Sequence, residues 1–252
     1  MKKTLVIMMT FLLTSLVFAC HAEAPTTEPT REPAAESTPE PTPEPTPEPT
    51  AEPPKTIAEK ILGGETRNLE FGGYIWRTLT VRDEKALLIT ECILEKRPYN
   101  AENISTTWEK CSLRAYLNGE FYDSFSVEDK ERIIETTITN QDNLWYGMRG
   151  GNDTTDNIFL LSLEETDLYF GSSMDYSNKN RSTSGWFFSN SYDADRVAEY
   201  NGFAWYWWLR SPGSTSYFAA CVDYGGWVNV AGDYVNYETI GVRPALWLSL
   251  GD

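Results

Sequence analysis

Tyr217-Phe218-Ala219-Ala220-Cys221-Val222, then Asp223-Tyr224-Gly225-Gly226, then Trp227-Val228-Asn229-Val230 form one continuous stretch. Two short apolar runs flank a turn-forming tetrapeptide, a pattern that predicts an antiparallel hairpin. Just beyond it, Gly232-Asp233 predicts another turn, and Val242 to Leu250 predicts an apolar strand that closes the chain.

Upstream, Glu70 to Val81 alternates Ile75, Arg77, Leu79 and Val81 against Trp76, Thr78 and Thr80. Such a period of two predicts a strand. Arg82 to Lys85 is a polar turn and Ala86 to Leu94 a more apolar strand, so a second hairpin is expected here. Between the hairpins, Thr107 to Leu117 places Trp108, Cys111 or Ser112, Ala115 and Tyr116 on one helical face, with Asn118-Gly119 as its stop. Ser126 to Asp129 resembles a capping box. Ile133 to Thr139 is β-branched and predicts a strand. Asn157 to Leu163 predicts a short buried strand, after which Ser162 caps a brief helix through Glu165. Hairpins at both ends with two or three helices between them predict an α+β domain.

Charge and composition narrow the function classes. The 252 residues carry 21 Lys+Arg against 37 Asp+Glu, for a formal charge of −16. No global field attracts a phosphate backbone, which disfavours nucleic acid as a partner. The single histidine, His21, lies just after an N-terminal apolar run and far from any plausible core. A Ser–His–Asp triad, a Cys–His pair or a histidine-rich zinc site therefore has no histidine to use.

That apolar run spans Leu5 to Phe18 behind Lys2 and Lys3, as in a secretory leader, and is short for a membrane-spanning helix. Val17-Phe18-Ala19-Cys20 resembles the lipobox of bacterial lipoproteins, in which the cysteine is acylated. The expectation is a signal peptide over residues 1–19, lipidation at Cys20 and a location on the outer face of the bacterial membrane. Residues 20–54 then form a stalk in which Thr38-Pro39-Glu40-Pro41 repeats twice more. With no apolar face to offset chain ordering, this segment is a spacer of about 3 Å per residue, on the order of 100 Å if extended. Residues 55–252 are expected to form one globular domain. If that domain breaks anywhere, the polar stretch from Ser172 to Ser184 is the place.

Trp207-Trp208-Leu209-Arg210-Ser211-Pro212, followed later by Gly241-Val242-Arg243-Pro244-Ala245-Leu246, resembles paired motifs of a large uncharacterised family of bacterial surface domains. Trp108, Cys111, Leu113, Arg114, Tyr116, Leu117 and Asn118 are similar to its helix signature. Asp156 to Ser162 is similar to its central strand. The layout also resembles the C-type-lectin-like fold, in the version shared by sulfatase-modifying factors and by the variable receptors of diversity-generating retroelements. That resemblance implies neighbouring termini and a C-terminal hairpin surface for ligands. The sulfatase-modifying enzymes use a cysteine pair near the C-terminal end, where this chain has only Cys221, so the resemblance does not carry their activity.

Arg210 and Arg243 sit in apolar segments, where a guanidinium needs paired acceptors. They are expected to be structural, as are Trp208 and Leu113 of the motifs. The tract from Ser214 to Tyr237 mixes aromatic with small polar residues, a composition that suits contact surfaces. Its candidates for ligand binding are Tyr217, Asp223, Tyr224, Trp227, Asn229, Asp233, Tyr234, Asn236 and Tyr237. The alternative is a solvated hairpin. Trp145, Tyr146, Trp186 and Trp205 are further candidates for stacking on sugar rings. The oxygen-rich loop from Gly150 to Asp156 contains Asp153 and Asp156 as weak candidates for Ca²⁺, although it lacks EF-hand spacing. Beyond that no cofactor is expected. Cys92, Cys111 and Cys221 remain once Cys20 is lipidated, with a Cys92–Cys111 bridge one option.

The expected function is a surface module that binds a protein or glycan. A wall-polysaccharide hydrolase using two carboxylates is the competing class, and a structural coat protein the third.

Overall fold

The computed structural model describes residues 55–170 and 186–251. The leader, Cys20, the stalk and the Ser172 to Ser184 stretch lie outside the described residues. The fold is α+β, rich in sheet, with short helices.

Thr56 starts helix α1 (Ile57–Leu62) with a reciprocal capping box to Glu59. Strands β1 (Leu69–Phe71), β2 (Tyr74–Arg82) and β3 (Lys85–Thr90) follow. The predicted Glu70 to Val81 strand is thus two strands, because Gly72 and Gly73 both take positive φ and reverse the chain. β2 and β3 form the expected hairpin, Val81 opposite Ala86. The chain continues as β4 (Glu95–Lys96), helix α2 (Ser112–Tyr116) and helix α3 (Val127–Arg132), the last capped by Ser126.

Asn118-Gly119 does not stop the central helix. A π-helical turn runs on through Leu117–Phe121. The Asn118 side chain is spent on a distant partner, accepting from Asn157 N at 2.8 Å and donating to Ile158 O at 2.8 Å. Its amide therefore pins the central run to the helix and does not end it.

The β-branched run from Ile133 to Thr139 also divides, into β5 (Ile133–Ile134) and β6 (Thr136–Ile138), which belong to different sheets. β7 (Thr154–Asp156) pairs with β6. Ser162 and Glu165 form a capping box on α4 (Leu163–Tyr169), one turn longer than expected. Then come β8 (Phe187–Phe188), α5 (Asp193–Arg196), β9 (Ala198–Tyr200), β10 (Phe203–Trp205), β11 (Trp207–Pro212), β12 (Phe218–Val222), β13 (Val228–Tyr234), β14 (Gly241–Val242) and β15 (Ala245–Ser249). Among the described residues four short α-helices, α2 to α5, lie between the two hairpins, where two or three were expected.

Two larger sheets organise the described strands, one in the order β1-β2-β3-β15-β5 and one in the order β4-β14-β11-β12-β13-β8, beside the two-stranded pairs β6–β7 and β9–β10. The predicted closing strand serves both, with β14 in the second sheet and β15 in the first. Between β14 and β15 sits Arg243, 1% exposed. Its Nε donates to Thr90 O at 2.9 Å and its Nη2 to Glu91 O at 3.2 Å, where the β3–β4 chain makes the same crossing. Two antiparallel crossings are tied by one guanidinium, and its buried charge faces the ring of Trp207 at 5.0 Å.

The expected Asn157 to Leu163 strand is an extended buried run that joins the sheets. Phe159 exchanges backbone hydrogen bonds with Ala245, and Leu161 O accepts from Arg210 N at 2.9 Å. Arg210 then donates Nη1 to Leu160 O at 2.7 Å, and its guanidinium grips the Glu165 carboxylate. Around this junction Trp76, Trp108, Trp207 and Trp208 are fully buried. Each has its indole N–H satisfied, Trp208 by Arg97 O at 2.9 Å, so large aromatic area is removed from water without an orphan donor. Leu113 is also fully buried.

Candidate functional site

The C-terminal hairpin forms as read, β12 against β13 with Cys221 opposite Asn229. Its tip is organised by Asp223, whose Oδ1 accepts from Gly225 N at 2.8 Å and Trp227 N at 2.9 Å. Asp223 is thus mostly buried and serves the turn. Gly226 takes φ +81°, and Arg196, fully buried behind it, donates Nε to Gly226 O at 2.8 Å. The tip is bolted to α5.

Gly232-Asp233 is not a second turn. The strand runs through to Tyr234, and the register slips, Cys221 facing Asn229 while Ala219 faces Asp233. This is a bulge, centred on Gly232 at φ +73°, where a Cβ would lie 2.2 Å from Ala219 O. Asn229 stabilises it, accepting from Gly232 N at 3.0 Å.

The bulge opens one wall of a cavity of about 440 Å³ lined by Tyr146, Trp186, Phe187, Ser214, Phe218 and Asn229. Three other segments converge there. Val230 N donates to Trp186 O at 2.9 Å and holds the Trp186 segment against β13. Ser214 N donates to Ala231 O at 2.7 Å. The loop carrying Tyr146 is held by Asn143, fully buried, whose Nδ2 donates to Pro212 O and Val230 O, both at 2.8 Å. None of the residues lining this cavity is ionisable except Tyr146, whose hydroxyl pKa burial raises.

Around it lies an aromatic surface. Trp186 is 63% exposed, and Tyr217, Tyr224, Trp227, Tyr234 and Tyr237 are each exposed as well. Their rings are braced by neighbours: Trp227 meets Phe187 edge-on at 6.2 Å, Tyr234 meets Phe218 at 4.5 Å, and Tyr237 meets Tyr234 at 5.5 Å. Tyr224 packs on Tyr206 at 5.6 Å. Asp233 and Asn236 are half-buried. Of the nine candidates, only Asn229 lines the cavity itself. The sugar-stacking candidates separate: Tyr146 and Trp186 line the cavity, whereas Trp205 lies under Lys96, whose ammonium is 3.6 Å from the ring centre. Trp145 packs on the core.

Sequence reasoning missed Asn143 and Phe187, and did not single out Ser214 and Phe218 within the tract it named. Asn143 carries no local signal, since its three acceptors lie about seventy and more residues away.

The oxygen-rich loop is built differently from a cation site. Asp156 is 1% exposed, with Trp108 Nε1 at 2.8 Å, Thr154 Oγ1 at 2.9 Å and Arg114 Nε at 2.6 Å on its carboxylate. Asp153 Oδ1 lies 3.4 Å from Asn140 N. Among the described residues no group of three or more His, Cys, Asp or Glu side chains is arranged to hold a metal ion. Cys111 is a free buried thiol, so the Cys92–Cys111 bridge is not made. Cys221 is likewise free and buried. Among the described residues no helix is long and apolar enough to cross a membrane.

Comparison with known proteins returns no match among curated proteins and none among solved structures. One family model does match, and it covers residues 83–250, from the β2–β3 turn to the end of the closing strand. It includes both Arg210 and Arg243 with the junction they tie. The chain belongs to that family, described as Domain of unknown function (DUF6273).

Proposed function

We propose that this chain is a ligand-binding module of the bacterial surface, anchored to the bilayer through Cys20 and raised on the Thr-Pro-Glu-Pro stalk. Its binding surface is the cavity beside the C-terminal hairpin together with the aromatic rings around it, and its ligand is a protein or a glycan. One observation carries this reading: the cavity of about 440 Å³ is walled by Tyr146, Trp186, Phe187 and Phe218, with the polar edge supplied by Ser214 and Asn229. Apolar ring faces with a few placed hydrogen-bonding groups suit a neutral ligand that has both apolar faces and hydroxyl or amide edges. The backbone around these walls is fixed before any ligand arrives, by Asn143 and by the Trp186–Val230 bond, which reduces the ordering that binding requires. The resemblance to C-type-lectin-like receptors, which also present a C-terminal hairpin surface, supports the same reading of the fold.

The test uses the full chain against a panel of neutral and acidic glycans and surface-protein extracts, followed by tryptophan fluorescence with each hit. Saturable binding that weakens at least tenfold in Tyr146→Ala and Trp186→Ala supports the reading. Turnover of a glycan, abolished by an Asp→Asn change, would replace it with the hydrolase class. Binding unaffected by both aromatic variants would place the ligand elsewhere.

A further inference from the structure

A second pocket lies away from the hairpin, about 260 Å³ in volume, where β2 approaches α4 and α5. Its walls include Arg67, Arg77, Tyr169, Phe170, Tyr192 and Asp195. Arg77 is 6% exposed, an unusual position for a guanidinium. Its Nη2 donates to Asp195 O at 2.6 Å and its plane lies 4.6 Å from the Phe170 ring centre. Its Nε, shielded from solvent, has no acceptor among the described residues. Thr78 Oγ1 beside it is also buried without a partner. The fold has therefore buried a cation and left part of its donor set unused.

The charge around it gives the sign of a ligand. Arg67, Arg77 and Arg243 interact with one another electrostatically, and Glu91 and Asp195 oppose them. Arg67 is paired with Glu91 at 2.6 Å. The lining itself carries Arg67 and Arg77 against Asp195, an excess of one positive charge within a chain of formal charge −16. Burial weakens the protonated form of Arg77, lowering its pKa to about 10, and an anion would reverse that effect.

We infer that this pocket binds a carboxylate group, with Arg77 as its principal donor, Arg67 at the rim and the Tyr169 and Tyr192 rings against the organic remainder. A planar carboxylate matches the guanidinium fork, and one negative charge balances the single excess charge of the lining. This assignment is independent of the hairpin cavity. Two sources share the chemistry, the carboxylate of a sugar acid and the C-terminus of a peptide.

Full-length chain with ¹⁵N-labelled arginine is titrated, at ionic strength held constant with sodium chloride, with acetate, glucuronate, N-acetylalanine and inorganic phosphate. The expected result is a saturable shift of one arginine Nε–Hε resonance with acetate, absent in Arg77→Lys. Tighter binding of glucuronate or of N-acetylalanine then tells the two sources apart. In Arg67→Gln, whose side chain sits at the exposed rim, affinity should fall at least threefold while the rest of the spectrum is retained. That variant decides the matter if Arg77→Lys does not fold. No arginine response, an equal response to chloride alone, tighter binding of phosphate than of acetate, or unchanged affinity in Arg67→Gln would each overturn the assignment.

Discussion

Arg114 donates its Nε to Oδ1 of Asp156 at 2.6 Å, across 42 residues of sequence, while Trp108 fills the other carboxylate oxygen from the same side of the fold. Asp156 is fully enclosed and Arg114 only partly so. The pair is what joins the central helix to β7.

Removing the carboxylate leaves the Trp108 N–H and the Arg114 charge without their acceptor. Asp156→Ala should therefore destabilise the fold by about 3–5 kcal/mol. Asp156→Asn keeps one acceptor oxygen and should lose less. Urea unfolding followed by tryptophan fluorescence checks both, and equal stability of the Ala variant and the parent would refute the role.

Gly226→Ala is expected to be more damaging than a loop substitution usually is. A Cβ there would stand 1.8 Å from Asp193 O, backbone that cannot give way easily, and φ is positive besides. The hairpin tip would have to leave α5 and release Arg196. A loss of about 2 kcal/mol or more follows from strain of this kind. Thermal unfolding measures it, with Gly73→Ala, which has open space around it but also positive φ, as the comparison.

Asp233 gives a pH signature. Burial raises its pKa, opposed by its hydrogen bond from Tyr234 N. A carboxyl whose pKa is higher folded than unfolded contributes stability that is fully present below the unfolded pKa and lost as pH rises through the folded value. Asp233→Asn retains an acceptor for Tyr234 and carries no charge. It should be more stable than the parent at pH 7, and the difference should shrink below about pH 4. A difference that grows on acidification would show the opposite sign.

The two free thiols should be inert in the folded state. Burial pushes the Cys111 thiol up to about 12 and raises Cys221 further, the latter helped by Asp233 and Asp223. Thiolate is the reactive form, so iodoacetamide at pH 8 should leave both unmodified in native protein. Denaturant should add both adducts, read by mass spectrometry of the peptides. Rapid native alkylation at Cys221 would mean that the β12–β13 face opens readily.

Much of the candidate site was legible residue by residue. The tract from Ser214 to Tyr237 holds the exposed rings, and Tyr146 and Trp186 stand out as aromatics in polar surroundings. What it did not show is which of these share a wall. Asp223 reads as a ligand-binding candidate at the turn, and its carboxylate holds that turn; Gly232-Asp233 reads as a turn, yet it is a bulge within one strand. The turn reading of Gly232-Asp233 fails because an isolated dipeptide signal does not say whether a partner strand is present to absorb the extra residues.

Local pattern by itself determined the α+β class, the two hairpins, the caps at Ser126 and Ser162 and the apolar character of the closing strand. These depend on periodicity and on hydrogen bonds within a few residues, which neighbouring positions are enough to specify. Only the tertiary structure decided that Val242 to Leu250 divides between two sheets, that Arg243 and Arg210 tie their junction, and that Asn143 brings Tyr146 to the hairpin. Those outcomes rest on buried donors finding backbone acceptors about fifty to one hundred and fifty residues away, and chain order alone carries no record of such distances.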